Sequence, residues 1–285
     1  MSELVLAGLR GGSPAAALAL YGIASLLPAG STVRWLEHGS GDWVAAVDAG
    51  AADLSALSVV LVDAIKADGL GSLDEVAKDI NEVTPEQFAV RRSAGVHRVL
   101  VGLAAEAPLR PNGNVAITPI CTYSFGTRGT LFGNAVKQDA SLTVDVMRRL
   151  LAGEGREQKD VNTLGFDPSA RRQDGAVIGP DPSADGVRGV PGLVPLVLRG
   201  LATVAPMPGT ARSAQGGAFV RAGSHLEFRW PVLSTAVRSD ALAFLVARDW
   251  SARSAAQRRA SGVDAVYAST VLRDERRLAA GRRVA

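Results

Sequence analysis

The chain has 285 residues, 47% hydrophobic and 21% charged, which is long enough to bury a core and too apolar for wholesale disorder. A single cysteine, Cys121, excludes an intrachain disulfide; the longest early apolar run, 15–27, is too short for a membrane span, and the opening lacks the basic region of an export signal, so a cytoplasmic protein is expected. The net charge of +3 is uneven: from residue 250 onward eight arginines face three carboxylates, which reads either as an electrostatic handle for nucleic acid or as a solvated arginine-rich tail.

Residues 4–10 read as a strand that breaks into Arg10-Gly-Gly-Ser-Pro and restarts as a helix over 14–27, with Ser13 as N-cap and Pro14 in its first turn. Residues 32–37 and 43–47 form a hairpin around His38-Gly-Ser-Gly-Asp. Apolar spacing predicts helices over 54–67 and 73–80, and Pro85 starts another that runs toward Ala94. Residues 96–105 fit helix or strand, and 114–123 favour a strand. A glycine-rich loop, Ser124-Phe-Gly-Thr-Arg-Gly-Thr, leads into one long helix over 131–152.

Residues 153–192 are rich in Gly, Pro, Asp and Arg without an apolar period, as in an exposed functional loop or a segment ordered by a partner. A helix follows over 193–203, then strands over 219–221 and 226–233 joined by Ala222-Gly-Ser. Asp240 begins a helix to about Trp250, and 263–272 alternates as a final strand. The expected class is α+β: mixed, mostly antiparallel strands, several packed helices and a long irregular basic segment. It divides into an N-terminal region 1–152, a loop segment 153–192 and a C-terminal region 193–285 with the arginine-rich end.

The glycine turn after the first strand lacks the residues of a nucleotide site. A phosphate loop needs Gly-Lys-Ser/Thr at its end, and a dinucleotide turn needs G-x-G-x-x-G; here the spacing is G-x-x-G-G without lysine. His38, His97 and His225 are isolated from other ligand residues, and no G-x-S-x-G elbow surrounds Ser224-His225. Neither metal nor cofactor is expected. An enzyme of the nucleotide or phosphoester class would have to assemble distant carboxylates such as Asp63, Asp145, Asp167 and Asp181. Each of the four tryptophans, Trp35, Trp43, Trp230 and Trp250, reads as core.

Basic residues beside glycines remain. Arg10 adjoins Gly11 and Gly12; Arg128 stands within Gly126-Thr127-Arg128-Gly129; Lys137 follows on the next helix; Arg171 and Arg172 lie in the irregular segment; Arg258 and Arg259 belong to the basic end. Glycine lets a backbone approach a phosphate closely, and hydroxyls and helix N-termini add donors, so this set is the candidate nucleic-acid contact.

Several of these motifs resemble, in the same order, large-subunit proteins of type I CRISPR effector complexes, especially the short U/G-subtype versions. The likeness is carried by GLRGGSPAAALALYGIASLL, by ITPICTYSFGTRGTLFGNAVKQ, and by Phe166-Asp-Pro with its paired arginines. It continues through Asp181-Pro-Ser, the helix ending Arg199-Gly-Leu-Ala-Thr-Val-Ala-Pro, and Phe228-Arg-Trp230-Pro231. The arginine-rich end has no counterpart in that pattern. The resemblance implies a non-catalytic subunit that binds the guide RNA handle and a DNA motif flanking the target. Its implied partners are guide RNA, target DNA, other effector-complex subunits and a recruited nuclease-helicase. Arg128 is then the candidate for a base edge, while guide pairing reads the target itself. A protein–protein scaffold without nucleic acid is the remaining alternative.

Overall fold

The computed structural model describes residues 3–39, 41–68, 83–93, 104–105, 112–117, 130–159, 161, 163, 166, 188–204, 218–272 and 277–285. The helix expected over 73–80, Cys121, the loop at 124–129 and the greater part of 153–192 lie outside them.

The first strand, β1 (Leu4–Arg10), ends where the glycine pair turns the chain, and α1 (Pro14–Leu26) begins with the Ser13 hydroxyl accepting from the Ala16 N–H at 3.3 Å. The hairpin forms as expected, β2 (Thr32–Glu37) against β3 (Trp43–Asp48). Helices α2 (Leu54–Asp68) and α3 (Pro85–Ser93) follow, then two-residue strands β4 (Ala104–Ala105) and β5 (Ala116–Ile117), which pair with each other.

The single helix expected over 131–152 is two helices, α4 (Thr130–Ser141) and α5 (Val144–Ala152). Thr143 is the cause: its backbone is extended, and its hydroxyl caps the Val146 N–H at 3.3 Å. Gly153 then closes α5 in the left-handed conformation, φ 76°. Two short strands, β6 (Gln158–Lys159) and β7 (Arg188–Gly189), pair across the segment expected to be irregular.

The C-terminal part starts with α6 (Leu193–Gly200) and a single 3-10 turn (Leu201–Val204). It continues with β8 (Phe219–Ala222), β9 (His225–Leu233) and β10 (Val237–Arg238). The helix expected over 240–250 shrinks to α7 (Leu242–Val246). Asp240 is held by Arg238 at 2.6 Å and caps nothing, while Trp250 turns back to donate its indole N–H to the Leu245 carbonyl at 2.7 Å. A further helix, α8 (Ala255–Ala260), precedes β11 (Val263–Leu272), β12 (Arg277–Leu278) and β13 (Arg282–Arg283).

The architecture is α+β, as expected. Among the described residues the strands make two main antiparallel sheets. One is four-stranded in the order β1-β3-β2-β10; the other runs β12-β11-β9-β8, with β13 also on β11. Strand β10 thus joins residues near 237 to the sheet founded by the first 48. The two halves also meet at α1 and α6, which cross at glycines. A β-carbon on Gly22 would stand 1.9 Å from the Leu196 carbonyl oxygen, and one on Gly200 1.9 Å from that of Leu18. Nearly all of α1 is buried, so this crossing is the centre of the core. The four tryptophans are core residues, none more than 6% exposed.

A buried cation braces three helices around that core. Arg199 is 1% exposed, and all five of its guanidinium N–H groups are used. Nε donates to Asp68 at 3.0 Å, and the two terminal nitrogens donate to both oxygens of Asp139 at 3.3 and 2.8 Å. The Pro195 and Ile65 carbonyls take the last two protons at 2.9 and 3.1 Å. Among the described residues no helix is long and apolar enough to cross a membrane.

Candidate nucleic-acid interface

The glycine turn after β1 is a packing corner. Gly11 donates to the Trp43 carbonyl at 2.8 Å, and a β-carbon on it would meet that of Trp43 at 2.7 Å. The Gly11 carbonyl accepts from the indole N–H of Trp230 at 2.8 Å, which docks β9 onto the corner. Trp230 stands in an aromatic row on one face of the second sheet, stacked on Phe228 at 5.2 Å and on Tyr267 at 6.0 Å. A β-carbon on Gly281 would lie 2.0 Å from the Gly12 carbonyl oxygen, so the end of the chain also packs against this turn.

Arg10 therefore sits where the two ends of the sequence meet. Its guanidinium pairs with Asp42 at 3.0 Å, and both side chains are about half exposed. Such a surface pair contributes little, roughly 0–1 kcal/mol, so Arg10 is held only weakly by Asp42. Beside it opens a cleft of about 310 Å³ whose lining includes Gly8, Arg10, Ser13, Gly153 and Gly155. Glycine is required on its wall: a β-carbon on Gly8 would lie 1.8 Å from the Leu150 carbonyl oxygen.

Where it is described, the arginine-rich end carries regular elements. Residues 254–260 form a helix with a complete capping box. The Ser254 hydroxyl accepts from the Gln257 N–H at 3.2 Å, and the Gln257 side chain accepts from the Ser254 N–H at 3.0 Å. Arg258 and Arg259 fill its last turn, where a positive charge is favourable. Arg258 donates to the Arg253 carbonyl at 2.7 Å, and Arg259 is exposed. Strand β13 then lies on β11, with Arg282 opposite Ala268 and Arg283 opposite Tyr267. Arg282 serves the fold. It donates to Glu227, which is 3% exposed and also takes Arg229 through Nε and a terminal nitrogen at 2.9 and 2.8 Å. Arg283 instead reaches along β11 to the Asp264 carbonyl at 3.3 Å.

Contacts therefore run without a break from the Gly12–Gly281 corner, through Arg283 and Asp264, to the foot of α8. Along that ridge Arg253, Arg258 and Arg259 have no carboxylate partner among the described residues. Of the residues expected to bind nucleic acid, Arg10 lies beside the Gly12–Gly281 corner, and Arg258 and Arg259 lie on α8, just before β11 begins. Lys137 is exposed on α4, which packs on α6 and α2, and no described contact joins it to the ridge. Gly126, Thr127, Arg128, Arg171 and Arg172 lie outside the described residues. Arg248 and Arg253 are not among the expected contacts, and helix α8, which carries the expected Arg258 and Arg259, is not among the expected elements. The signal for α8 was in the sequence, since Ser254-x-x-Gln257 is a capping-box pattern; with no buried residue, the helix has no apolar stripe to announce it.

The carboxylates named for a metal-dependent enzyme are dispersed as far as they are described. Asp63 is exposed on α2, and Asp145 is engaged by Arg149 at 2.9 Å and Arg148 at 3.6 Å on α5. Asp167 and Asp181 lie outside the described residues. Among the described residues no three His, Cys, Asp or Glu side chains gather as metal ligands. Compared with known proteins, the chain matches no family model, no curated protein and no solved structure.

Proposed function

We propose that this chain is a non-catalytic, nucleic-acid-binding subunit of an RNA-guided DNA surveillance complex, of the short large-subunit kind found in type I CRISPR systems. The observation that carries the binding part is that Arg253, Arg258 and Arg259, which have no carboxylate partner among the described residues, stand on or beside the capped helix α8. The Arg258 guanidinium, held by the Arg253 carbonyl, loses little entropy on taking a phosphate, and each such contact releases counterions. The order of sequence motifs supports the CRISPR part. In this reading Arg10, Arg258 and Arg259 bind backbone phosphates, as do Lys137, Arg171 and Arg172. Arg128, flanked by Gly126, Thr127 and Gly129, reads a base edge of the flanking motif. Guide RNA, target DNA and neighbouring subunits are the partners, with a nuclease-helicase recruited once the target is bound.

Binding of duplex and single-stranded oligonucleotides, measured by fluorescence anisotropy over a salt series, tests the ridge. Arg258→Ala with Arg259→Ala lowers the slope of log affinity against log salt by about 1–2, one phosphate contact contributing about 0.9 for duplex. An unchanged slope removes α8 from the interface. No binding of the unaltered chain to any polyanion at low salt supports the scaffold alternative instead. For Arg128, the expected result of Arg128→Ala is a loss confined to particular flanking motifs, equivalent to about 1–3 kcal/mol of discrimination. A uniform loss across a motif panel makes it a phosphate contact only.

A further inference from the structure

Next to the ridge lies a surface that a phosphate contact does not explain. Phe244, on α7, is 75% exposed, the most exposed large hydrophobic side chain among the described residues. Hydrogen bonds from the Ala247 N–H to the Ala243 carbonyl (3.0 Å) and from the Arg248 N–H to the Leu245 carbonyl (3.3 Å) carry the turn onward. Arg248 thus stands one turn after Phe244. Its guanidinium lies over the buried Trp250 ring, 5.9 Å from the centroid, and Trp250 is itself tied to the Leu245 carbonyl. An exposed ring and a planar cation braced on Trp250 therefore stand four residues apart in one short segment.

More cations follow directly. The Arg253 N–H donates to the Trp250 carbonyl at 3.2 Å, and Arg258 donates to the Arg253 carbonyl, so three turns are chained together. Asp249 is the single acidic residue in 242–260, and it is occupied by the Ser251 N–H at 3.0 Å and hydroxyl at 2.5 Å. Arg248 and Arg253 keep no carboxylate partner among the described residues. A water-exposed aromatic amid unneutralised arginines suits a ligand that presents flat apolar faces and regular negative charge together. A duplex supplies the charge but hides its base faces in the stack; an unpaired strand supplies both.

We infer that Phe244 and Arg248 form a stacking platform for an unpaired base, with Arg253 and Arg258 on the neighbouring phosphates. The platform rests on the nucleic-acid reading above and narrows it to single strands at this surface. The test compares the full-length chain with Phe244→Ala and Phe244→Trp for binding to labelled oligo-dT and to a duplex. Because Phe244 is exposed, both variants keep the unaltered circular dichroism spectrum. Phe244→Ala weakens oligo-dT binding about 5- to 150-fold and leaves duplex binding unchanged, while Phe244→Trp retains the single strand. Equal losses on both ligands overturn the platform. Intact oligo-dT affinity in Phe244→Ala also overturns it, leaves the nucleic-acid reading standing, and makes Phe244 a protein contact. Failure of the unaltered chain to bind either ligand defeats the broader reading as well.

Discussion

Replacing Arg199 by methionine destabilises the chain by roughly 3–5 kcal/mol, the cost of removing one partner from a buried ion pair. The guanidinium is 1% exposed and its Asp139 partner's side chain 9%, so water is poorly placed to substitute for the lost donors. Methionine matches the length of the stem but donates nothing to the Asp139 and Asp68 carboxylates or to the Pro195 and Ile65 carbonyls. Urea unfolding followed by circular dichroism gives the value. Adding Asp139→Leu to Arg199→Met recovers part of the loss, because a buried carboxylate is removed along with its cation. A loss under about 1 kcal/mol in the single variant would mean that the cluster is hydrated, and the brace joining α2, α4 and α6 would then have no energetic role.

Alanine at Gly22 or Gly200 reverses the sign that helix propensity dictates. In an isolated helix Gly→Ala stabilises by about 1 kcal/mol. Here the new methyl group would sit 1.9 Å from a carbonyl oxygen of the partner helix, so α1 and α6 must separate in the middle of the core. Overpacking of this kind costs about 1–3 kcal/mol and sometimes more, which outweighs the propensity gain. The two glycines face the same crossing, so the double variant costs less than the sum of the singles: once the helices have parted for one methyl, the second meets less resistance. Additive losses in denaturant unfolding would show that the two sites relax independently. Stabilised single variants would contradict the close crossing itself.

Neither effect was visible along the chain, and the reason is the same for both. Gly22 reads as a weak point in an Ala/Leu helix until the Leu196 carbonyl is known to lie above it. Arg199 reads as an ordinary basic residue near a helix end; its carboxylate partners are 131 and 60 residues away. The ridge had the same limitation. Arg282 and Arg283 look alike in sequence, yet neighbouring strand residues face opposite sides. Arg282 is drawn to buried Glu227, and Arg283 is left along β11.

Short-range chemistry, by contrast, was readable in advance. Ser13 and Pro14 start α1, the segment His38-Gly-Ser-Gly-Asp joins the strands of the first hairpin, and Ala222-Gly-Ser joins β8 to β9. Caps, turns and apolar periods act over three or four residues, so a linear sequence contains all the information they need. Where local signals competed, another nearby residue decided: Asp240 pairs with Arg238, two residues back, and Trp250 folds back onto Leu245, so the expected helix shortens to α7. The sequence alone therefore determined the α+β class, the capped start of α1 and the absence of nucleotide-loop spacing from the first turn. Only the tertiary structure decided that this turn receives Trp230 and Gly281, that Arg282 reaches buried Glu227, and that Arg199 is buried. Each of those depends on which distant carbonyl or carboxylate lies within hydrogen-bond reach, and sequence separation carries no record of that distance.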